Sequence, residues 1–544
     1  MNILDKAIAA ISPEAALRRE VAKKKLDFFN ALGSGSGYGR HGASYAKKSL
    51  AAWVANGRSA DEDIVDNIET LRSRSRDLYM GAPLATGALK TVRTNVVGSG
   101  LSLSAQPDAA FLGLSDEQAR EWAQTVEREW KLWAETTHCD AERRHTFYQL
   151  QSLVLLSALM SGDVFVTLPV IRRPGSVYDL RIALIEADRV CNPMHIPSGA
   201  DILGGVEVGP YGEPVAYWVA KHHPHAAPRF MTQVKQEWKR VLAYGATTGR
   251  RNVLHLMSDV ERPAQRRGVP FLAPVIESMK QLSRYSDAEL MASVVAGMFT
   301  VFVKTNTPQT PLGSVFNSPL PQNVEPNAYE LGNGAVVALD EGEDVSTASP
   351  GRPNTAYGDF VDSVCRQVGA GLELSHELLM KHFSSSYSAS RGALLEAWKM
   401  FRMRADWLVG GFCQPTYEEW LAEAILKGRV QAPGFFDDPA IRAAWSNAEW
   451  FGDSHGQLDP VAEVEAAKLR VEECFSTRER EAAELTGLKF DVIMAARKRE
   501  EELRREAGLA ADPAAAFEAP GQAPGKAPSE DDDDEEEEEK DASE

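Results

Sequence analysis

Apolar positions in residues 1–32 fall at Ile3, Ile8, Ile11, Leu17, Val21, Leu26 and Phe29, set against basic Arg18, Arg19, Lys23, Lys24 and Lys25. That pattern predicts an amphipathic helix with little to pack on, which Gly33 to Gly39 then breaks. Residues 1–58 are therefore expected to be a mobile N-terminal arm. From Ser59 to Asn95 the pattern is helical, and Pro83 starts a new helix there because proline suits a first turn. Gly98-Ser99-Gly100 ends the segment and leads into an alternating strand at Leu101, Leu103 and Ala105.

Ser115 to Gln118 has the spacing of a capping box. The helix it opens puts Trp122, Val126, Trp130 and Trp133 on one face, and a second helix is expected from Thr146 to Met160. Strand-like runs follow at Asp163–Val170, Tyr178–Glu186, Gly204–Val208 and Pro214–Val219, separated by turns such as Gly209-Pro210. After Pro270 the period changes. Phe271, Val275, Met279 and Leu282 form a helical stripe that can run to Gly297, roughly 40 Å. Met298–Lys304 reads as a strand, and a Pro-, Asn- and Gly-rich stretch with short strands such as Ala335–Ala338 extends to Pro353. Helix resumes over Asn354–Ala370 and Ala389–Leu408. It ends in two helices, Pro460–Gly487 and Lys489–Ala507, the first opening on Asp459-Pro460. The fold class is α+β, multi-domain, with long helices flanking a small β module.

Charge changes this picture in one place. The chain carries −19, of which Ser529–Glu544 holds −11 (twelve acids, one lysine), leaving −8 for the rest. Such a run repels itself and buries nothing, so 509–544 is expected to be a disordered acidic tail behind an Ala- and Pro-rich linker. Five widely spaced cysteines, none in a C-x-x-C pair, argue against a disulfide framework or structural zinc. Met1–Ala15 lacks the apolar core of a signal peptide, and no apolar run is long enough to span a bilayer. The expectation is a cytosolic chain of several domains.

Gly37 to Gly42 spells G-x-G-x-x-G but lacks the preceding strand a dinucleotide fold needs. Lys90-Thr91 lacks the glycine that lets amides wrap a phosphate. His222-His223-Pro224-His225 points successive imidazoles to opposite faces, so few can converge on one ion. Glu186 and Asp188 can share a face, with Asp163 as a further acid. They carry the alternative reading, a metal-dependent nuclease or other nucleic-acid enzyme, although no third ligand or basic partner is evident. The serines near His382 lack a G-x-S-x-G elbow and read as a loop with a helix cap. No catalytic residue, cofactor site or metal site is expected.

Several ordered segments carry a resemblance. They are Asn95 to Leu101, Ser161 to Phe165 with Ile185 to Val190, Gly205 to Glu207, Gly212 to Trp218, and Gln265 to Pro270. Further along come Tyr285 to Leu290, Ser385 to Leu394, and Trp445 with Leu458 to Pro460. In this order the chain resembles the lambda-type portal protein family of tailed bacteriophages. That resemblance implies a portal fold with wing (59–265 and 373–456), stem helix (266–297), clip (298–353), return helix (354–372) and crown (457–508). It also implies a ring of about twelve copies at one capsid vertex, closed by head-to-tail contacts. The ring would be a channel for DNA packaging and ejection. Its partners would be itself, double-stranded DNA bound without sequence preference, the terminase large subunit, the major capsid protein and a head–tail connector or adaptor, with no membrane. Its place would be the virion, and the host cytoplasm during assembly. The loop 381–390 would line the tunnel, with Lys381, His382, Ser384, Ser385, Ser386, Tyr387, Ser388, Ser390 and Arg391 facing the DNA.

Overall fold

The structure is a computed structural model. It describes residues 47–509 apart from 51, 54, 194–195, 197–198, 200, 227–235, 298–300, 306–342, 348–355, 384–385, 454–459, 488 and 508, together with 14–15, 18 and 21–25. Most of the expected arm, the strand Ala335–Ala338 and the acidic tail lie outside the described residues. The chain divides into two compact units, one of residues 1–89, 154–169 and 182–394, the other of residues 90–153, 170–181 and 395–544.

The first unit is built on two antiparallel sheets. Asp163–Thr167 is the central strand of three, between Ala183–Ile185 and Val253–Met257. A four-stranded meander joins Ile202–Leu203, Val206–Val208, Pro214–Ala220 and Trp238–Leu242. Phe165, Ile185, Val190, Val206, Tyr217, Val219, Ala243 and Val253 form their shared core. The expected strands over Asp163–Val170 and Tyr178–Glu186 are shorter in the structure, because beyond Thr167 only the single bridge Val170–Leu180 continues the pairing.

Helix Ile68–Gly81 stops at Ala82, whose extended backbone (φ −112°, ψ 110°) lets Pro83 begin the next helix. The proline thus ends one helix and supplies the first turn of another. The long helix after Pro270 runs Ile276–Gly297, later than the apolar stripe suggests, since a 3-10 turn at Ala273–Val275 precedes it. Tyr285 on this helix lies against Tyr357 and Phe360 of helix Tyr357–Gly371 (ring centroids 5.6 and 4.9 Å). An antiparallel hairpin of Val301–Thr305 with Glu343–Thr347 sits between the two helices in the chain.

The second unit centres on aromatic rings. The Ser115 capping box forms as the sequence predicts, and Val126, Trp130 and Trp133 of the helix Asp116–Ala134 are buried, with Trp122 half-buried. Trp130 lies 5.0–6.0 Å from Trp133, Phe147, Tyr417, Trp420 and Trp450. Edge-to-face ring contacts of this kind add to plain burial. Strands Ser102–Ala105 and Ala448–Phe451 pair antiparallel beside them. Gln151, fully buried, closes the cluster by accepting the Leu101 N–H (2.7 Å) and donating to its carbonyl (3.0 Å). Gln151→Leu would strand both backbone groups, so a loss of about 1–3 kcal/mol is expected in chemical denaturation. An unchanged midpoint would show that the backbone finds other partners.

The predicted helix Pro460–Gly487 is two helices, Pro460–Glu472 and Arg478–Thr486. Cys474 at φ 58° breaks the first, and the Thr477 hydroxyl accepts the Arg480 N–H to cap the second. Arg470 spans the break with two bonds to Glu481 (2.9 and 2.6 Å). Among the described residues no helix is long and apolar enough to cross a membrane.

Candidate nucleic-acid interface

The expected tunnel loop lies between two short-range constraints in the first unit. Helix His376–Met380 is capped by the Ser375 hydroxyl and ends on Lys381 in the left-handed conformation (φ 54°). The next long helix is Tyr387–Leu408. Its first turn is held by the Ala389 N–H donating to the Ser386 hydroxyl (3.4 Å) and the Ser390 N–H to the Ser386 carbonyl (2.9 Å). Lys381, His382, Phe383, Ser386, Ser388 and Arg391 are exposed, and Ser390 is half-buried. Ser384, Ser385 and the side chain of Tyr387 lie outside the described residues. The loop thus projects two permanent cations, an imidazole and hydroxyls from the positive end of a 22-residue helix.

What sequence reasoning missed is a buried charge centre in the same unit. Asp163 opens the central strand and has no exposure to solvent. Its carboxylate accepts from Arg72 Nη2 (2.7 Å), Arg267 Nε (2.6 Å) and Nη2 (3.2 Å), and the Gly268 N–H (3.2 Å). His255 Nε2 stands 3.3 Å away. Arg267 also donates to the carbonyls of Ala187, Val190 and Gly204, so its guanidinium ties the 3-10 turn Ala187–Arg189 to the turn at Gly204. Phe165 stacks on His255 (4.2 Å) and lies under the Arg267 guanidinium (5.1 Å). Burial pushes the Asp163 carboxyl upward, but Arg267 and Arg72 outweigh it and hold the group far below the carboxylate range. Burial lowers Arg72 to about 10, which leaves it charged at neutral pH. Burial also lowers His255, against the pull of Asp163, which keeps the imidazole neutral.

The close approach of Gly162 and Gly268 explains the glycines around this centre. A Cβ on Gly268 would lie 1.9 Å from the Gly162 carbonyl oxygen, and Gly162 has φ 90°. Only glycine fits at both positions.

Of the three acids considered for a nuclease, Glu186 and Asp188 come together, while Asp163 is held apart by Arg72 and Arg267. Glu186 and Asp188 flank Ala187 in a 3-10 turn, and Arg76 bonds to Asp188 and reaches Glu186 at 3.3 Å. His223 Nε2 lies 3.9 and 3.8 Å from the two carboxylates, so this trio is grouped closely enough to hold an ion. The sequence offered neither this third group nor the basic partner, because both come from distant segments. The chemistry of the trio is nevertheless that of an ion pair. Arg76 already supplies the cation, and burial of Asp188 is outweighed by the charges of Arg76 and Arg72, which hold its carboxyl low. His223 Nδ1 accepts the His225 N–H (3.2 Å), placing the ring proton on Nε2, toward the acids. A metal ligand would need the lone pair there. His225 reaches Glu69 (3.2 Å) while its ring stays 5.9 Å from that of His223, because these residues form a turn and not the extended segment on which successive side chains alternate.

The chain is a mixed helix-and-strand protein with a buried ionic hub and an exposed cationic loop. Comparison with known proteins names the family. The model of the phage portal protein, lambda family, matches residues 46–404. The chain is 27% identical to portal protein B of Escherichia phage lambda over 89% of its length and 92% of that protein. It is 28% identical to the portal protein of Escherichia phage N15, over 90% of this chain and 93% of that one. Among solved structures, the neck of a native gene transfer agent particle computed with C12 symmetry is similar at TM-score 0.40 and 14% identity, covering 77% of this chain and 92% of that one. The chain belongs to the lambda family of phage portal proteins.

Proposed function

We propose that this protein forms a closed ring of about twelve copies at one capsid vertex, through head-to-tail contacts that close on themselves. DNA passes through the ring during packaging and ejection. The observation that carries the reading is the family match over 46–404 together with similarity to lambda portal protein B along nine-tenths of the chain. Residues 59–265 and 373–456 serve as wing, 266–297 and 354–372 as stem, 298–353 as clip and 457–508 as crown. Two helices joined through a β-hairpin support the stem and clip assignment. The ring works in the host cytoplasm during assembly and then in the virion. It meets the terminase large subunit, the major capsid protein and a head–tail connector, and needs no cofactor or catalytic centre of its own.

At the tunnel loop, Lys381, His382 and Arg391 meet phosphates while Ser384, Ser385, Ser386, Tyr387, Ser388 and Ser390 offer hydrogen bonds without reading bases. DNA carries one charge per roughly 1.7 Å of axis, so a strongly basic bore would grip rather than pass it. A sparse ring of cations suits sliding. Negative-stain microscopy of the purified protein is expected to show rings with a central hole. Uniform monomers or open filaments across salt and concentration would overturn the reading.

A further inference from the structure

One surface of the second unit has a charge opposite to that of the chain. Asp140 fixes the loop 140–145 by accepting the N–H groups of Glu142, Arg144 and His145 (2.9, 3.0 and 3.0 Å). This holds Arg143 in the left-handed region (φ 60°), where a side chain of its kind is uncommon. Arg173, from the loop after Val170, donates to the carbonyls of Asp140 and Ala141 and ties the two loops together. The resulting corner carries Arg143, Arg144, Arg172 and Arg173. Arg144 has only a loose exposed pair with Glu142 (3.5 Å). Among the described residues, Arg143 and Arg172 are exposed and have no side-chain partner. Of the acids nearby, Asp140 has its oxygens filled by amides and His145, and Asp179, whose carbonyl accepts the Ile171 N–H, is paired with Lys427. A protein of net −19 thus keeps a cluster of four arginines, two of them without a side-chain partner among the described residues, on two loops that it has fastened in place.

We propose that the corner is the docking surface for the acidic tail of this same chain, Ser529–Glu544, from its own or a neighbouring copy. Charge complementarity supports it: the tail holds twelve acids against one lysine. So does reach. The last helix, Phe490–Glu506, is rooted where Lys489 pairs with Glu127 and Asp491 lies 4.0 Å from Arg120. Both partners stand on the helix Asp116–Ala134, which runs through the turn Thr137–Cys139 straight into the arginine loop. Twenty residues separate Leu509 from Glu530, enough chain, at up to about 3.3 Å per residue, to return from the far end of the last helix to its root. A tether of that length gives an effective concentration near the millimolar range, so weak, salt-sensitive pairs are enough to fill the corner. The docked tail screens these arginines from the other polyanion the ring handles, duplex DNA, leaving the tunnel loop as the cationic surface that meets it. That last step rests on the portal reading; the docking itself does not.

The test uses full-length protein and phenylglyoxal, which modifies accessible arginines, with site occupancy read by peptide mass spectrometry. Arg143 and Arg172 are expected to react at least fivefold more slowly than in a full-length variant whose twelve tail acids are replaced by Asn and Gln. The difference should vanish in about 0.5 M salt, where screening reaches within a few ångströms. Arg402, exposed and remote in sequence, should react alike in both. Equal reactivity of Arg143 and Arg172 in the two proteins would sink the proposal, whether or not rings form. Protection appearing only on addition of duplex DNA would also overturn it and make the corner a nucleic-acid surface.

Discussion

Asp163→Ala should remove about 3–5 kcal/mol of stability, the cost of leaving a buried ion network without its opposite charge. The argument lies in the asymmetry of the centre. Arg72 and Arg267 are both buried, and among the described residues Asp163 supplies the one carboxylate paired with either of them. Removing the acid strands two guanidinium groups in the interior, whereas removing one arginine leaves the other paired. Arg72→Met should therefore cost less than Asp163→Ala, and the double variant should cost less than the sum of the two. Urea unfolding followed by tryptophan fluorescence and circular dichroism measures all three. A single-variant loss near zero would mean that water reaches the arginines.

The pH dependence has a definite sign. A carboxylate whose folded pKa is depressed contributes stability that is fully present above its unfolded value, about 3.9, and is lost as pH falls toward the folded value. The Asp163 contribution is therefore flat from neutral pH down to about 4 and declines only below it, given the downward shift caused by Arg267 and Arg72. The alanine variant should lose this acid limb of the wild-type profile.

Why was so little of that centre legible in the sequence, when the helices around it were? Arg72 lies 91 residues from Asp163 and Arg267 lies 104 away, so no local spacing links them. The capping box at Ser115, the break at Pro83 and the serine cap before Tyr387 are local devices, and each can be read within a few residues. Strand length is not local. Tyr178 to Leu180 have strand composition, but their backbone groups turn to other partners: the Glu423 carboxylate accepts the N–H groups of Asp179 and Leu180, and Arg181 donates to the carbonyls of Tyr178 and Leu180. The division of the helix predicted over Pro460–Gly487 had a readable signal in Ser476-Thr477, a capping residue that the continuing helical pattern masked. Glu186 and Asp188 are legible as neighbours on one face, yet Arg76 and His223, which decide their chemistry, arrive from other elements.

Deleting Ser384–Ser388 should leave ring formation intact and reduce the DNA retained in particles at least tenfold. The deletion removes Ser386, whose hydroxyl caps the following helix, so a local loss of about 1 kcal/mol is expected. That loss is too small to unfold a unit held by the cores described above. It pulls Lys381 and Arg391 toward each other and shortens the projection that would carry them into the channel. Both are exposed and have no side-chain partner among the described residues, so their charge is free to meet phosphate. Lys381→Gln with Arg391→Gln separates charge from length, because it keeps the loop and removes only the cations. If phosphate contact is what matters, this pair should approach the packaging defect of the deletion and flatten the dependence of retention on salt. If reach alone matters, the pair should package normally while the deletion fails. Loss of rings in either variant, seen by electron microscopy, would instead make the loop an assembly element.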